Sequence, residues 1–299
     1  MIVKIYRKYI PKSFRDKIYI AFLGKLLLNI RRSPSVIRSK YVFLFYKFLP
    51  HTEKNQLYAF MGKYGLIHIP YSFALEYRKM PMQIFWDEQY ELHYVIHAEK
   101  RLYFPTLNKE EIINNYRLLL MEQHIQSPHR YLENINRLKG KTVLDIGAAE
   151  GMFTLNAIEI IEHSYLFECD DLWIHALNAT FAPWKEKVTI VKKYVSDIND
   201  EKNITIDQFL EGKNKTNLFM KMDVEGYEMA VLKGAKEIIQ GTPNIDFSIC
   251  TYHNKDDAAQ FALFFKNYSV ETEYTEGFVF YDKDFRKAII RKKISFEKI

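Results

Sequence analysis

The second half of the chain alternates short apolar runs with segments in which apolar residues recur every three or four positions. Apolar runs of this length predict buried strands, and the segments between them predict amphipathic helices. Regular alternation of the two indicates an α/β sheet whose strands run mainly parallel. The predicted strands are Thr142–Ile146, Ser164–Cys169, Val188–Tyr194, Leu218–Asp223 and Ile245–Tyr252.

The pattern changes on both sides of this core. Residues Val270–Tyr274 and Gly277–Tyr281 predict a closing antiparallel hairpin, so the sheet should be mixed. A second hairpin is predicted over Glu91–Phe104, and a helix over Lys109–Gln126. Upstream of Lys79 the periodicity is helical and is broken by prolines. We therefore expect a basic helical extension over residues 1–85, a hairpin and helix linking to the core over 86–131, and a cofactor-binding domain over 132–299.

The charge of the chain is unevenly distributed. Residues 1–50 hold 12 Lys and Arg against one acid, Asp16, although the whole chain of 299 residues carries only +6. A basic, partly apolar segment of this kind can lie on an anionic membrane surface, bind a polyanion, or simply pack on its own protein. It should not span a bilayer, because its best apolar run, Ile18–Ile30, is too short and contains Lys25. No signal peptide is recognisable.

The turn after the first predicted strand carries the most specific chemical signal. Residues 143–151 read VLDIGAAEG, which places Asp145 two residues before Gly147. A dinucleotide loop needs a small residue at its sixth position, where this chain has Met152. A loop for S-adenosylmethionine needs small residues at the first, third and fifth positions, and Gly147, Ala149 and Gly151 provide them. The loop therefore favours S-adenosylmethionine over NAD as the cofactor.

A second acid lies at the tip of the next predicted strand. Glu168 follows the loop by about 20 residues, which is the spacing of the carboxylate that binds the ribose hydroxyls in doubly wound sheets. Further along, the strand Leu218–Asp223 ends in the charged residues Lys221, Asp223 and Glu225. The following strand ends at Tyr252 and His253. Because ligands bind beyond the carboxyl ends of such strands, these residues should face the cofactor crevice.

The sequence predicts no dedicated metal site. His93 and His97 lie on a predicted strand, where this spacing separates the two side chains by about 13 Å. CxxC, HExxH and EF-hand patterns are missing. Cys169 and Cys250 lie in predicted strands, so no disulfide is indicated and a reducing compartment is expected.

Together the motifs DIGAAEG, FECD, VSD, TIDQFL and KMDVEGYEMAVLKGA resemble the FkbM-type S-adenosylmethionine-dependent methyltransferases over roughly residues 140–282. The resemblance implies a Rossmann-like class I methyltransferase fold, with a mixed seven-stranded sheet and helices on both faces. It also implies methylation of hydroxyls on sugars or glycan-linked products. The family loop commonly has Asn where this chain has Ala149, so any polar contact of that Asn is missing here.

Carried over by position, the resemblance implies roles for most of the candidate residues. Asp145, Gly147, Ala149 and Gly151 would shape the cofactor loop, and Glu168 would hold the ribose. Ser196 and Asp197 would lie near the adenine. Asp223, also counted among the cofactor-binding residues, would face the methyl-transfer centre with Glu225, and Lys221 would balance their charge. For Glu122, His129 and Tyr131, lining of the acceptor or cofactor pocket and plain packing stay open.

The sequence thus predicts a cytoplasmic enzyme, peripheral at the inner membrane face, that methylates a sugar hydroxyl in surface polysaccharide or glycolipid synthesis. His253 is the preferred proton acceptor, because an imidazole can accept a proton at neutral pH. A nucleic-acid methyltransferase is one alternative, disfavoured because KMDVEG stands where the Asn/Asp-Pro-Pro-aromatic motif of base-amine methylation would lie. A cofactor-binding scaffold without catalysis is the other.

Overall fold

The computed structural model describes residues 46, 49–106, 108–241 and 245–293. Most of the basic segment, residues 1–45, lies outside this part of the chain, and so do the helices predicted there. The chain divides into two compact units, residues 1–71 and 72–299. The domain boundaries expected after residues 85 and 131 stay predictions.

In the first unit, one helix is described. Helix α1 (Glu53–Tyr64) begins after Thr52, whose hydroxyl accepts a hydrogen bond from the Asn55 N–H at 3.3 Å. It ends at Gly65, whose φ of 89° is readily adopted only by glycine. Its inward side chains Leu57 and Met61 are buried.

The second unit opens with a small antiparallel sheet that is larger than predicted. The hairpin of β2 (Leu92–His97) and β3 (Lys100–Phe104) is joined by a third strand, β1 (Phe85–Asp87), which pairs with β2. The short helix α2 (Ala74–Tyr77) precedes this sheet, and α3 (Lys109–Glu122) follows it. Helix α3 starts where Asn108 accepts hydrogen bonds from the Glu110 and Glu111 N–H groups.

The core is a seven-stranded sheet, which confirms the predicted fold. Its strands are β4 (Thr142–Ile146), β5 (His163–Phe167), β6 (Val188–Val191), β9 (Leu218–Met222), β10 (Asp246–Cys250), β11 (Thr272–Tyr274) and β14 (Ile289–Lys292), in the spatial order β11-β14-β10-β9-β4-β5-β6. Strands β10, β9, β4, β5 and β6 run parallel to one another, whereas β14 is antiparallel to both of its neighbours. The order reverses at β4, so the crevice beyond the tips of β4 and β9 is the natural ligand site.

Helices connect the strands and cover both faces. They are α4 (Met152–Ala157), α5 (Asp171–Phe181), α6 (Ile206–Phe209), α7 (Glu228–Lys233), α8 (Lys236–Gly241) and α9 (Asp257–Asn267), with short 3₁₀ turns at Ile135–Leu138 and Ala182–Trp184. On one face, Phe265 of α9 stacks on Phe247 of β10 at 4.3 Å between ring centroids. On the other, Phe153 of α4 stacks on Phe219 of β9 at 5.8 Å. None of the helices in the described ranges is both long and apolar enough to cross a membrane.

The predicted closing hairpin is wrong. Strand β11 does not pair with β12 (Val279–Tyr281); it pairs with β14, whereas β12 pairs with β13 (Asp284–Arg286) in a separate two-stranded ribbon. The physical reason is burial: β14 carries two fully buried apolar side chains next to β11, Ile289 and Ile290, whereas Phe280 and Tyr281 of β12 are only partly buried. The sheet is still mixed, as expected, but its antiparallel strand is β14.

Two strand ends also differ from the prediction. The predicted strand Val188–Tyr194 is divided, because β6 ends at Val191 and a short strand β7 (Tyr194–Val195) pairs in parallel with β8 (Asn203–Ile204). The predicted strand Ile245–Tyr252 ends at Cys250, so Tyr252 and His253 belong to the loop beyond the sheet.

Candidate active site

The loop between β4 and α4 is shaped by two glycines in the left-handed region. Gly147 has a φ of 75°, and a Cβ at this position would lie 1.8 Å from the Asp223 carbonyl oxygen. Gly151 has a φ of 77°, and a Cβ there would meet Leu177 and Phe181 at 2.7 Å. The first glycine thus lets the loop approach the tip of β9, and the second lets it approach helix α5.

Glu168 at the tip of β5 is held against the same loop. Its Oε2 accepts a hydrogen bond from the Ala149 N–H at 3.0 Å, and its Oε1 accepts from the Cys169 and Asp170 N–H groups at 2.6 and 2.9 Å. Ala149 has a φ of 43°, a conformation in which Asn is tolerated better than other residues with a Cβ. Glu168 is therefore fixed by backbone amides, beside the loop predicted to hold the cofactor.

Asp145 and Lys221 form a buried ion pair beneath the loop. Lys221 Nζ lies 3.1 Å from Asp145 Oδ1 and donates a hydrogen bond to the Gly147 carbonyl at 2.5 Å. The Thr154 hydroxyl donates to Asp145 Oδ2 at 2.8 Å. Burial raises the pKa of Asp145, with Lys221 opposing this effect. Burial would lower the pKa of Lys221, but Asp145 and Asp223 outweigh it and raise that pKa. Both residues therefore support the loop from within the sheet.

The predicted adenine residues follow strand β7. The Ser196 carbonyl oxygen packs against Gly234, the residue that follows α7. A Cβ on Gly234 would lie 2.0 Å from this oxygen. The Ser196 hydroxyl bonds to the Ile198 backbone, and Asp197 is exposed. Within the described ranges, no hydrogen bond joins these two residues to the loop or to Glu168, so their role at the adenine stays a prediction.

A second group of side chains gathers beyond β9 and β10. Asp223 Oδ2 accepts a hydrogen bond from the Tyr131 hydroxyl at 2.6 Å. His253 Nε2 lies 3.4 Å from Asp223 Oδ1 and 3.6 Å from Glu225 Oε2. The Glu225 side chain is 82% exposed, on a residue with a φ of 53°. The structure thus brings together three of the four predicted catalytic residues, while Lys221 lies beneath them.

One member of this group was missed by sequence reasoning. Glu228, the first residue of α7, is fully buried, and its Oε1 lies 2.6 Å from His253 Nδ1. Burial would lower the pKa of His253, but the hydrogen bond to Glu228 and the charges of Glu228, Asp223 and Glu225 outweigh it and raise that pKa. A glutamate in the first turn of a helix is ordinarily solvated and dipole-stabilised, so the sequence alone gives no signal for this pairing.

The segment before the core contributes a further buried polar cluster. His129 Nε2 lies 3.1 Å from the Tyr252 hydroxyl, and the Tyr131 ring contacts Phe153. Burial raises the pKa of Glu122, and the nearby charge of Asp223 raises it further. The structure therefore places Tyr131 in direct contact with a candidate catalytic carboxylate, and His129 in contact with the Tyr252 side chain.

Glu150, inside the cofactor loop, was also not singled out from the sequence. Burial raises its pKa to about 7, with Lys221 opposing the effect and Asp145 and Asp223 adding to it. The loop therefore contains a carboxyl group that titrates near neutral pH.

Some of these residues also lie close enough to share a cation. In residues 72–293, ligand atoms lie within 4.8 Å of one another in the group His129, Asp223 and Cys250 and in the group Asp223, Glu228 and His253. The sequence predicts no dedicated metal cage and leaves a loosely held ion at the active site open.

Residues 189–277 match the family described as Methyltransferase FkbM domain. The match covers less than a third of the chain. This match contains Asp223, Glu225, Glu228 and His253, and the cofactor loop lies upstream of it. Over these residues, the match agrees with the family and the enzyme class predicted from the sequence.

Several solved structures are distantly similar to this chain. An FkbM methyltransferase from Methylobacillus flagellatus KT is 17% identical with a TM-score of 0.42, over 62% of this chain and 56% of that one. The chain thus spans little more than half of that relative. A precorrin-6y C5,15-methyltransferase from Geobacter metallireducens GS-15 is 12% identical with a TM-score of 0.38, over 54% and 85% of the two chains. A SAM-dependent methyltransferase from Aquifex aeolicus is 12% identical with a TM-score of 0.38, over 62% and 97%. Among curated proteins, none matches significantly.

Proposed function

We propose that the protein transfers a methyl group from S-adenosylmethionine to a sugar hydroxyl in a surface polysaccharide or glycolipid precursor. The observation that carries this proposal is the position of His253 Nε2, which is buried, has no hydrogen-bond partner among the described residues and lies 3.4 Å from Asp223 Oδ1 beyond the tip of β9. A hydroxyl acceptor needs such a group, because its proton must leave as the new bond forms.

The loop residues fit the cofactor. Gly147 and Gly151 adopt left-handed angles and carry no side chain that would block a ligand at these two positions. Glu168 Oε2 accepts one backbone hydrogen bond and can accept another from a ribose hydroxyl. When bound, S-adenosylmethionine supplies a methyl group activated by its positively charged sulfur. The acceptor oxygen forms a bond to this methyl carbon as the carbon–sulfur bond breaks, and the hydroxyl proton passes to the protein.

His253 is a better proton acceptor than Asp223. The pKa of Asp223 is lowered because Lys221, His129 and His253 together outweigh the effect of burial. Asp223 is therefore ionised but weakly basic, and one of its oxygens is already occupied by the Tyr131 hydroxyl. The pKa of His253 is raised, so its imidazole binds a proton more readily.

The sugar class of the acceptor is supported by the family resemblance and by the polar character of the surrounding groups. Tyr131, Asp223 and Glu225 offer a hydroxyl and two carboxylates around His253. Such groups hydrogen-bond readily to the several hydroxyls of a sugar ring. The proposed location is the cytoplasm at the inner membrane face, where the basic segment, residues 1–50, would contact anionic lipid.

The test begins with calorimetric titration of S-adenosylhomocysteine into the wild type, Glu168→Ala and the control Glu186→Ala, which changes an exposed carboxylate elsewhere. Loss of charged hydrogen bonds to ribose costs about 1.5–3 kcal/mol each, so Glu168→Ala should weaken binding by about tenfold to a hundredfold. The control should bind like the wild type. No binding by the wild type would refute the cofactor site.

The acceptor is then identified with methyl-labelled S-adenosylmethionine. Label should appear in lipid-linked or nucleotide-linked sugars and should be lost with His253→Gln. Label in DNA or RNA instead would favour the nucleic-acid alternative. If the protein binds the cofactor but transfers label to neither sugars nor nucleic acids, the result would favour a scaffold without catalysis.

A further inference from the structure

Glu228 occupies an unusual position for a carboxylate. Its side chain is 0% exposed, although it lies in the first turn of a surface helix. Its Oε1 contacts His253 Nδ1 at 2.6 Å and accepts a hydrogen bond from the Val224 N–H at 3.2 Å. One buried oxygen thus joins the turn that carries Asp223 and Glu225 to the loop that carries His253.

The hydrogen bond to Glu228 determines which ring nitrogen of His253 is free. An ionised carboxylate can only accept hydrogen bonds, so the nitrogen that faces it must carry the hydrogen. In the neutral imidazole, Nδ1 therefore holds the hydrogen and Nε2 holds the lone pair. Nε2 is buried, has no hydrogen-bond partner in the part of the chain that the structure describes, and points toward Asp223 and Glu225.

We propose that Glu228 is the positioning residue of the methyl-transfer site: it fixes His253 in the Nδ1–H tautomer, directs Nε2 at the acceptor hydroxyl and strengthens it as a base. This role rests on the proposed function, because it concerns the same proton transfer. The hydrogen bonds of Glu228 in the described residues join it to His253 and to the Val224 N–H, so we assign its effect on the proton transfer to His253.

Several charged and titratable groups surround His253 on all sides. Glu228 faces it from α7, Asp223 and Glu225 from the turn after β9, and Asp257 from the start of α9. The Tyr252 and Tyr281 rings lie 4.2 and 5.7 Å from its ring, and the Arg286 guanidinium donates to its carbonyl oxygen at 2.8 Å. Among the carboxylates in the described ranges, Glu228 is the one hydrogen-bonded to the ring, so its removal should change the tautomer as well as the pKa.

The proposal is tested by nitrogen NMR of the full chain labelled with ¹⁵N-histidine, with His253→Gln used to assign the signals. The wild type should show the neutral Nδ1–H tautomer and a His253 pKa above 6.5. Glu228→Gln should lower that pKa by about one unit, because a charged partner is replaced by a neutral amide, and should yield a mixture of tautomers, because the amide can also donate. Asp257→Asn, which changes a carboxylate not bonded to the ring, should keep the tautomer.

The NMR readout is independent of turnover, so it separates this proposal from the proposed function. If no sugar is methylated but the tautomer depends on Glu228, the acceptor assignment fails and the positioning role stands. If Glu228→Gln keeps the wild-type tautomer and pKa, Glu228 is only structural and the inference is overturned. If that variant does not fold, the wild-type titration decides, since an Nε2–H tautomer or a pKa below 6.5 would overturn the inference by itself.

Discussion

Lys221 Nζ lies 3.1 Å from Asp145 Oδ1, and both side chains are almost completely buried beneath the candidate cofactor loop. The pair joins the neighbouring strands β4 and β9 at register positions that face each other. Because Lys221 also donates to the Gly147 carbonyl, it ties the loop to the sheet. The sequence predicts a role for Asp145 in shaping the cofactor loop and a role for Lys221 at the methyl-transfer centre. Their contacts show that both residues support the loop from below.

Removing the lysine should therefore affect stability strongly. Lys221→Met leaves Asp145 buried without its cation, and breaking one side of a buried pair costs about 3–5 kcal/mol. Equilibrium urea unfolding should measure this loss. In Lys221→Met/Asp145→Asn most of it should return, since the uncompensated charge is gone. The control Lys192→Met, at the exposed pair with Asp171, should lose about 0–1 kcal/mol. A loss equally small for Lys221→Met would mean that the pair does not hold the loop.

The first glycine of the loop should tolerate no side chain. In Gly147→Ala the new Cβ would lie 1.8 Å from the Asp223 backbone oxygen, which cannot move without displacing β9. Gly140→Ala is a matched control, because Gly140 has a similar φ of 65° and nothing within 4 Å of the new Cβ. The control should show only the left-handed strain, about 1–2 kcal/mol. Gly147→Ala should lose more than the control in thermal unfolding and should lose S-adenosylhomocysteine binding. Equal losses would show that the close approach is unimportant.

Position 149 tests the departure from the family loop. Ala149 has a φ of 43°, and Asn is tolerated better in this conformation because its side chain can bond locally. Ala149→Asn should raise the free energy of unfolding by about 0.5 kcal/mol, whereas Ala149→Val, β-branched at the same φ, should lower it by more than about 1 kcal/mol. Both variants keep the N–H that donates to Glu168. The stabilities of the two variants are compared by their urea unfolding midpoints. Equal midpoints for Ala149→Val and Ala149→Asn would contradict the prediction.

How far the sequence predicts this molecule depends on how local each interaction is. Strand Thr142–Ile146 is found as predicted, because its apolar run and the glycines after it are set within a few residues. The hairpin at Val270–Tyr281 was wrong, because the choice of β14 as partner depends on burial at residues much later in the chain. Glu228 was missed for the same reason, since its partner His253 lies beyond a helix and a strand. The motifs located the crevice, but only packing shows which acids face it and which lie beneath it.

The basic segment can be tested directly, although residues 1–45 lie outside the described part of the chain. If residues 1–50 contact anionic lipid, the full chain should co-sediment with vesicles containing phosphatidylserine and should be released as salt rises, because screening weakens the attraction. Replacing Arg31, Arg32 and Arg38 with Gln should weaken sedimentation, with about 1 kcal/mol expected for each basic residue near the surface. Vesicles of neutral lipid are the control. Equal binding to both vesicle types would exclude an electrostatic role.

Glu150 should make stability depend on pH near neutrality. Its pKa is raised from 4.5 to about 7, chiefly by burial. Below pH 4.5 the carboxyl is protonated in the folded and unfolded chain. Between pH 4.5 and pH 7 the folded chain keeps a proton that the unfolded chain has released, so the free energy of unfolding falls as pH rises, by about 3 kcal/mol in total. Glu150→Gln cannot ionise, so the variant should gain about this amount relative to the wild type between pH 4.5 and pH 8.

Urea unfolding of the two proteins across this range measures the gain from Glu150→Gln, and the exposed Glu186→Gln serves as the control for a change in net charge. The free energy of unfolding of the control should change with pH as that of the wild type does.

The ionisation of Glu150 should also affect cofactor binding between pH 6 and pH 8. An ionised Glu150 adds a negative charge inside the loop and should attract the positively charged S-adenosylmethionine more than the neutral S-adenosylhomocysteine. The ratio of the two affinities should therefore rise from pH 6 to pH 8 in the wild type and stay flat in Glu150→Gln. If the ratio does not change with pH in either the wild type or Glu150→Gln, the charge of Glu150 does not act on the bound cofactor.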